Sequence, residues 1–241
     1  MVHNPSPEAA ELGEPSYVWR FGQERRLNLI RRFAPLEDVR FLDVGCGIGT
    51  YVKRVGELAK LSAGIDISEK RLRESSVPNL VAAVSEKLPF KDESFDVILL
   101  NEVIEHVRDD RETLEECLRV VSRGGHVVIY APNRLYPFET HGIYVGKRYK
   151  FGNIPLVNYL PLRLRNKLVP HAKAYTERDM RKLYSGLDGR VVVHTYVYPG
   201  FDNIVARNPA FGNWLRRTLY RAEGTAVRRF GLSHFVVLKR P

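Results

Sequence analysis

Three glycines stand at alternate positions in the segment Asp43-Val44-Gly45-Cys46-Gly47-Ile48-Gly49. Glycines with this spacing let a backbone turn tightly and approach a ligand without an intervening Cβ atom. The pattern is G-x-G-x-G rather than the G-x-G-x-x-G of dinucleotide sites, and a carboxylate precedes the first glycine by two residues. That carboxylate would repel a pyrophosphate and attract an ammonium group. The segment therefore predicts a binding loop for a ligand that carries positive charge.

A second carboxylate, Asp66, follows Gly45 by 21 residues and ends the next predicted strand. A carboxylate at this place can accept hydrogen bonds from both ribose hydroxyls of a nucleoside. The alternative is a structural role for Asp66 as a cap of the following helix. The loop and the two acids together predict a site for a nucleoside that carries an amino acid. S-adenosylmethionine has this shape and also carries a sulfonium cation.

Predicted strands and helices alternate around these residues. The strands cover 40–44, 61–67, 80–84, 95–100 and 126–131, and the helices cover 17–33, 50–60, 69–75 and 109–122. Ser68 is expected to cap the third helix, and Gly124 with Gly125 to end the fourth. The strands lack a polar face, which is typical of a parallel sheet buried between two layers of helices.

The alternation stops after Pro132. Residues 133–175 show no clear period, and a helix over 177–187, a strand over 190–198, a basic amphipathic helix over 211–230 and a strand over 234–238 are predicted after them. The fold class expected is α/β, a Rossmann-like doubly wound, mostly parallel seven-stranded sheet with an antiparallel last strand and lid insertions after strands 5 and 6. The expected division is an N-terminal arm and helix (1–36), a cofactor-binding core (37–131), a lid for acceptor recognition (132–175) and a completion of the sheet (176–241) with a basic insertion (199–232).

Five motifs follow one another along the core of the chain. They are Leu42 to Gly49, Gly64-Ile65-Asp66-Ile67-Ser68, Glu86-Lys87-Leu88-Pro89-Phe90 with Ser94-Phe95-Asp96-Val97-Ile98, Glu102-Val103-Ile104-Glu105-His106-Val107, and Arg119-Val120-Val121-Ser122-Arg123-Gly124-Gly125. In this order they resemble the motifs of the class I S-adenosylmethionine-dependent methyltransferases, in the small-molecule branch called methyltransferase domain 11. The likeness covers about residues 38–131.

The resemblance implies S-adenosyl-L-methionine as the cofactor. The glycines would shape the wall beside its methionine part, Asp43 would hold its amino group, Asp66 its ribose, and Ile67 would pack on the adenine. The family usually has an acid where this chain has Val84, so the neighbouring Ser85 is expected to replace it. The full set expected to bind the cofactor is Asp43, Gly45, Cys46, Gly47, Gly49, Asp66, Ile67, Ser85, Glu86, Asn101 and Glu102, and no metal ligands are predicted.

Methyl transfer to an oxygen needs alignment of the reactants and a base, for which His is the usual choice. We expect His141 to act as the base, with His106 as the second candidate and Glu139 in the same group. His141 and Glu139 follow the fifth strand, whose carboxyl end lies on the ligand side of a doubly wound sheet. A structural, hydrogen-bonded role is the alternative for each histidine.

Charge is distributed unevenly along the chain, whose net charge is +10. Residues 1–131 carry 18 basic and 22 acidic side chains, whereas residues 132–241 carry 20 basic and 6 acidic ones. The second part is therefore expected to meet an anionic partner. An apolar content of 44% excludes a disordered chain. The longest apolar run, 127–131, is too short to span a bilayer.

Three acceptors follow from these observations. A glycan or sugar on an anionic lipid or nucleotide carrier is favoured, a quinone or other lipid is the second, and RNA is disfavoured because 101–104 lacks an Asn/Asp-Pro-Pro-aromatic motif. The alternative from another functional class is a binding protein that has the same fold but no activity.

Two isolated cysteines and no signal peptide favour a cytoplasmic protein, with peripheral contact to an anionic membrane left open.

Overall fold

The structure is a computed structural model that describes residues 18–241. The N-terminal arm expected before residue 17 lies outside the described residues. The described part of the chain contains eleven strands: β1 (Arg40–Val44), β2 (Leu61–Asp66), β3 (Leu80–Ala82), β4 (Phe95–Asn101), β5 (Val121–Pro132), β6 (Phe138–Glu139), β7 (Ile143–Val145), β8 (Arg148–Lys150), β9 (Ile154–Pro155), β10 (Arg190–Val197) and β11 (Ser233–Lys239).

Eight α-helices accompany these strands within residues 18–241. They are α1 (Phe21–Arg31), α2 (Thr50–Gly56), α3 (Glu69–Arg73), α4 (Asp110–Val120), α5 (Leu162–Leu168), α6 (Glu177–Tyr184), α7 (Asp202–Arg207) and α8 (Pro209–Ala222). Short 3-10 turns cover Val157–Tyr159 and Ala226–Phe230.

Seven strands form one sheet in the order β10-β11-β5-β4-β1-β2-β3. The pairs β1–β2, β2–β3, β1–β4 and β4–β5 are parallel, whereas β11 is antiparallel to both β5 and β10. The expected mostly parallel sheet with an antiparallel last strand is therefore confirmed. Because β1, β2, β4 and β5 run in the same direction, their carboxyl ends meet at one edge of the sheet.

Alternate residues of β4 pack into two different cores. Ile98 and Leu100 belong to the core that contains α4 and α6, and Val97 and Leu99 belong to the core that contains α1 and α2. All four side chains are fully buried. The absence of a polar face in the sequence thus reflects helices on both sides of the sheet.

The prediction that Gly124 and Gly125 end a helix was wrong. Helix α4 ends at Val120 and the chain passes directly into β5, which contains both glycines. The register of β4 and β5 shifts between Phe95 and Val97, opposite this stretch. Gly124 has a φ of 75°, and a Cβ on Gly125 would lie 2.7 Å from the Asp96 carbonyl. The two glycines therefore permit an irregular pairing inside the sheet.

The segment after β5 is more ordered than the sequence suggests. Strands β6 and β9 form one antiparallel pair, β7 and β8 form another, and α5 follows. Val157, Val169 and Ala172 make a small apolar core of their own. We call residues 133–175 the lid segment.

The predicted basic helix over 211–230 is divided differently. Helix α7, which was not predicted, precedes α8, and α8 starts at Pro209 with Asn208 as its N-cap and ends at Ala222. Proline suits the first helical position because its missing N–H has no partner there. No helix within residues 18–241 is both long and apolar enough to cross a bilayer.

Candidate active site

The glycine loop joins β1 to α2 at the carboxyl edge of the sheet. Gly45, Gly47 and Gly49 have φ values of 74°, 56° and 80°, a region that favours glycine. The backbone N–H groups of Gly45 and Cys46 both donate to the Ile65 carbonyl of β2 at 2.8 Å. These bonds hold the loop against the neighbouring strand.

Gly45 also has no room for a side chain. A Cβ there would lie 2.4 Å from a methyl carbon of Val103, which follows β4. Gly64 on β2 leaves space in the same way for Cys46, whose sulfur would lie 2.7 Å from a Cβ at that position. Cys46 is buried, so its side chain packs the loop onto the sheet and only its backbone remains for a ligand.

Asp43 ends up in an environment that opposes its ionisation. It is 3% exposed, and both burial and the charge of Asp66 raise the pKa of its carboxyl well above the ordinary value. A cation next to Asp43 would offset both effects. The two acids predicted from the sequence therefore lie close together at the end of β1 and β2.

Asp66 has a structural role, as the alternative interpretation of this residue proposed. Its Oδ1 accepts from the N–H of Ser68 and its Oδ2 from the N–H of Gly47, both at 2.8 Å. Each oxygen retains a further lone pair. Asp66 thus fixes the glycine loop and the start of α3 and can still accept two hydrogen bonds.

The remaining predicted cofactor residues take different positions. Ile67 is 46% exposed beside the loop, where a planar ligand could pack on it. Ser85 is buried and bonded to Thr113 at 3.0 Å, while Glu86 accepts from the N–H of Arg108 at 2.9 Å. Ser85 and Glu86 therefore tie the segment after β3 to the first turn of α4 and to the residues just before it.

Asn101 and Glu102, at the end of β4, are held by an arginine that sequence reasoning missed. Arg26 of α1 donates to Asn101 Oδ1 at 2.6 Å, to Glu102 Oε1 at 2.7 Å and to Ser233 Oγ at 2.9 Å. Its guanidinium also lies 4.6 Å from the centre of the Tyr130 ring. Glu102 has a φ of 56°, a strained value for this residue type. The packing of α1 against the sheet brings the Arg26 guanidinium and these side chains together.

Three side chains beyond β4 form what we call the carboxylate–histidine cluster: Glu105, His106 and His141. Glu105 Oε1 lies 3.5 Å from His141 Nε2 and 3.9 Å from His106 Nε2. The two imidazole rings meet edge to face at 5.1 Å between centres. Burial raises the pKa of Glu105 to about 7 and lowers that of His106 to about 3.

The predicted base His141 is held between two carboxylates. Its Nδ1 lies 2.9 Å from Glu139 Oε1. Burial alone would lower the pKa of His141, but its contacts with Glu105 and Glu139 outweigh this effect and raise it to about 10. His141 is thus a cation at neutral pH and suits holding a proton better than accepting one. Its role as the base stays a prediction that this charge state does not favour.

The side chain of Glu139 is buried, whereas that of His141 is 15% exposed. Glu139 Oε2 pairs at 2.7 Å with Arg165, which is 1% exposed. Burial alone would raise the pKa of Glu139, but its hydrogen bond with His141 and the charge of Arg165 outweigh this effect and lower it to about 2. Arg165 is one of the basic residues after Pro132, a part of the chain that was expected to meet an anionic partner, and here it is buried against Glu139. Asn133, which follows β5 directly, is buried and donates to the carbonyls of Arg229 and Gly231.

Comparison with known proteins identifies the core. A family model described as a methyltransferase domain matches residues 42–129. The "Ubiquinone biosynthesis O-methyltransferase" of Parvibaculum lavamentivorans is 35% identical over 133 residues, which are 52% of this chain and 52% of that protein. The protein of the same name from Ralstonia nicotianae is 36% identical over 111 residues, 42% of this chain and 47% of its own length. The chain thus spans about half the length of these relatives.

The fold itself is shared over nearly the whole chain. A crystal structure described as an S-adenosylmethionine-dependent methyltransferase from Mesorhizobium loti superposes with a TM-score of 0.61 and 19% identity, covering 88% of this chain and 96% of that one. The matched core contains the glycine loop, Asp66 and the Glu102–His106 segment. Residues 42–129 therefore match a methyltransferase domain, and the fold of a methyltransferase extends over nearly the whole chain.

Proposed function

We propose that this chain transfers the methyl group of S-adenosylmethionine to a hydroxyl oxygen of a small or lipid-linked acceptor. The observation that carries the proposal is the buried Asp43 next to Asp66, beneath a glycine loop. Burial and the charge of Asp66 both oppose the ionisation of Asp43, and a cationic ligand would offset these two effects. The ammonium and sulfonium groups of the cofactor supply such charge.

The other residues that we assign to the cofactor lie at the same edge of the sheet. Asp66 has lone pairs for the ribose hydroxyls, and exposed Ile67 can pack on the adenine. Arg26 keeps Asn101 and Glu102 in place at the end of β4, where the methionine part would meet the acceptor. The hydroxyl of Ser85 is already bonded to Thr113, so we assign only the backbone of Ser85 to contact with the adenine.

The acceptor oxygen would lie on the side of the carboxylate–histidine cluster. Methyl transfer is an in-line displacement: the oxygen forms a bond to the methyl carbon as the carbon–sulfur bond breaks, and the hydroxyl proton must leave. Glu102 is close enough to Glu105 to raise its pKa, so the cluster adjoins the end of β4. We assign the removal of the acceptor proton to this cluster as a unit, with Glu139 orienting His141.

Among acceptors, an aromatic hydroxyl such as that of a quinone precursor is the better supported class. The relatives that this chain matches over about half of their length carry the name "Ubiquinone biosynthesis O-methyltransferase". A glycan acceptor, expected first from the sequence, draws support from the exposed basic side chains of the lid segment. Among these, Lys147, Arg148 and Arg163 remain exposed.

One exposed helix face fits delivery of a lipid-linked acceptor. Phe211 and Trp214 on α8 are 50% and 58% exposed and stack on each other at 5.8 Å. Arg217 and Arg221 are exposed on the same side of the helix. Aromatic side chains bordered by arginines are typical of helices that lie on anionic membranes. We therefore propose peripheral contact of α8 with an anionic membrane.

The test of activity uses labelled S-adenosylmethionine with three acceptors: a catechol-type quinone precursor in vesicles, the same precursor in detergent, and a phosphate-linked sugar. We expect label in the quinone precursor as a methyl ether. Label in the sugar alone would replace the acceptor class, and no transfer to any oxygen despite bound cofactor would contradict the proposal.

The test of the membrane contact is co-sedimentation with anionic vesicles over a salt series. Binding should fall with salt. It should also weaken in the pair Phe211→Ala and Trp214→Ala, but not in Phe151→Ala, which removes an equally exposed aromatic ring from the lid segment. Retention that ignores salt and both substitutions would contradict the contact.

A further inference from the structure

Glu105 has an unusual environment for a carboxylate. Its side chain is fully buried, and neither oxygen has a hydrogen-bond partner among residues 18–241. Leaving a buried carboxylate without partners costs several kcal/mol, so such groups are normally paired or bind metal. The contact with His141 at 3.5 Å has the distance of an ion pair and leaves the second oxygen without a partner.

Both neighbouring imidazoles direct Nε2 toward Glu105. His106 Nδ1 lies 2.9 Å from the His171 carbonyl and therefore donates to it, which leaves its Nε2 with the lone pair. His141 uses Nδ1 for Glu139, and an ion bound at its Nε2 would displace the proton that His141 otherwise carries there. One ligand atom from each of Glu105, His106 and His141 lies within 4.8 Å of the others.

We propose that Glu105, His106 and His141 bind a divalent transition-metal ion. Two imidazole nitrogens and one carboxylate oxygen are a ligand set that proteins use for Zn²⁺ and for Fe²⁺ with open coordination positions. Ligands of a tetrahedral ion at about 2.0–2.2 Å lie roughly 3.4 Å from one another. The separations of 3.5 and 3.9 Å need only small side-chain rotations to reach this geometry.

The surroundings of the three ligands support the assignment. Metal-binding histidines usually donate their other ring nitrogen to a carboxylate or a carbonyl, and here His141 uses a carboxylate and His106 a carbonyl. Glu139 is itself fixed by the buried Arg165. Two elements supply the site, since Glu105 and His106 follow β4 whereas His141 belongs to the lid segment.

The ion would also have a defined use, which rests on the proposed function. A Lewis acid at this place could bind the acceptor hydroxyl and lower its pKa, so that the proton is lost to water. The oxygen would then attack the methyl carbon as an anion while the carbon–sulfur bond breaks. The metal site would thereby take over the role of the single histidine base expected from the sequence. Binding of the metal itself does not depend on methyl transfer.

The experiment is a calorimetric titration of the EDTA-treated full chain with Zn²⁺, together with the absorption spectrum of its Co²⁺ complex. We expect one ion per chain and a Co²⁺ spectrum of a low-coordinate nitrogen and oxygen site. Glu105→Gln and His106→Asn should each weaken Zn²⁺ binding about 100-fold or more, and Glu139→Gln about 10- to 100-fold. His126→Asn on β5 is the matched control, because His126 lies outside the cluster.

Two results would overturn the proposal. One is the lack of stoichiometric Zn²⁺ binding by the folded wild-type chain, which would leave the His141–Glu105 ion pair as the full account of the cluster. The other is undiminished binding in folded Glu105→Gln and His106→Asn, which would place the ion elsewhere. A parallel titration with S-adenosylmethionine separates a failed metal site from a failed methyltransferase.

Discussion

Replacing Glu139 by Gln should destabilise the protein by breaking a buried ion pair. Glu139 is 2% exposed and Arg165 1%, and 2.7 Å separates their charged atoms. Removal of one partner of such a pair costs about 3–5 kcal/mol, because the other charge stays buried without compensation. Gln retains one oxygen as an acceptor, so we expect a loss of about 3 kcal/mol, near the lower end of this range. In a chain of 241 residues this corresponds to a melting temperature lower by roughly 6–12 °C.

The assay is urea unfolding at neutral pH in EDTA, so that no metal contributes. The matched control is Glu177→Gln, since Glu177 pairs with Arg181 at 2.8 Å but on the surface, where the two side chains are 39% and 63% exposed. That change should cost less than about 1 kcal/mol. A double-mutant cycle with Arg165→Met isolates the pair. A loss for Glu139→Gln no larger than for Glu177→Gln would refute the argument from burial.

Two further changes test the loop and the charge state of a histidine. Gly45→Ala should lower both the melting temperature and the affinity for S-adenosylmethionine, because its φ of 74° is unfavourable for Ala and its Cβ would meet Val103; adding Val103→Ala should restore part of the loss, and calorimetry showing unchanged affinity in Gly45→Ala would contradict this. Burial and the charge of His234 lower the pKa of His194 to about 4. The unfolded chain therefore binds more protons than the native one between pH 6.5 and 4, and this contribution to stability, complete above pH 6.5, is lost as the pH falls, by at most about 1.4 kcal/mol per pH unit. Unfolding free energies over this range should depend less on pH in His194→Gln, and an identical slope would contradict the assignment.

The sheet and the cofactor loop could be predicted because local sequence patterns indicate both of them. Apolar strands without a polar face indicate burial on both sides, and the spacing of Gly45, Gly47 and Gly49 reflects backbone conformations that other residues avoid. Asp66 could be placed at the end of β2 because it directly follows such an apolar stretch. Its second function, accepting from Gly47 and Ser68, became visible only with the loop in place.

The acceptor side could not be predicted in the same way, because its contacts join distant parts of the chain. Arg26 reaches Glu102 across 76 residues, and nothing in the local sequence of α1 distinguishes it from neighbouring arginines. The charge state of His141 depends on Glu105, which follows a different strand. The excess of basic residues after Pro132 suggested contact with an anionic partner, whereas pairing with Glu139 allows one of these residues, Arg165, to be buried.

The most direct test of the account is calorimetric titration of the protein with S-adenosylmethionine. We expect one binding site per chain, and we expect Asp66→Ala to abolish binding, because the change removes the acceptor for the ribose hydroxyls and the anchor of the Gly47 N–H. Glu69→Ala is the matched control, since this carboxylate lies on the exposed face of the adjacent helix α3. Binding that is absent in the folded wild-type chain, or equally strong in Asp66→Ala, would contradict the placement of the cofactor at the ends of β1 and β2.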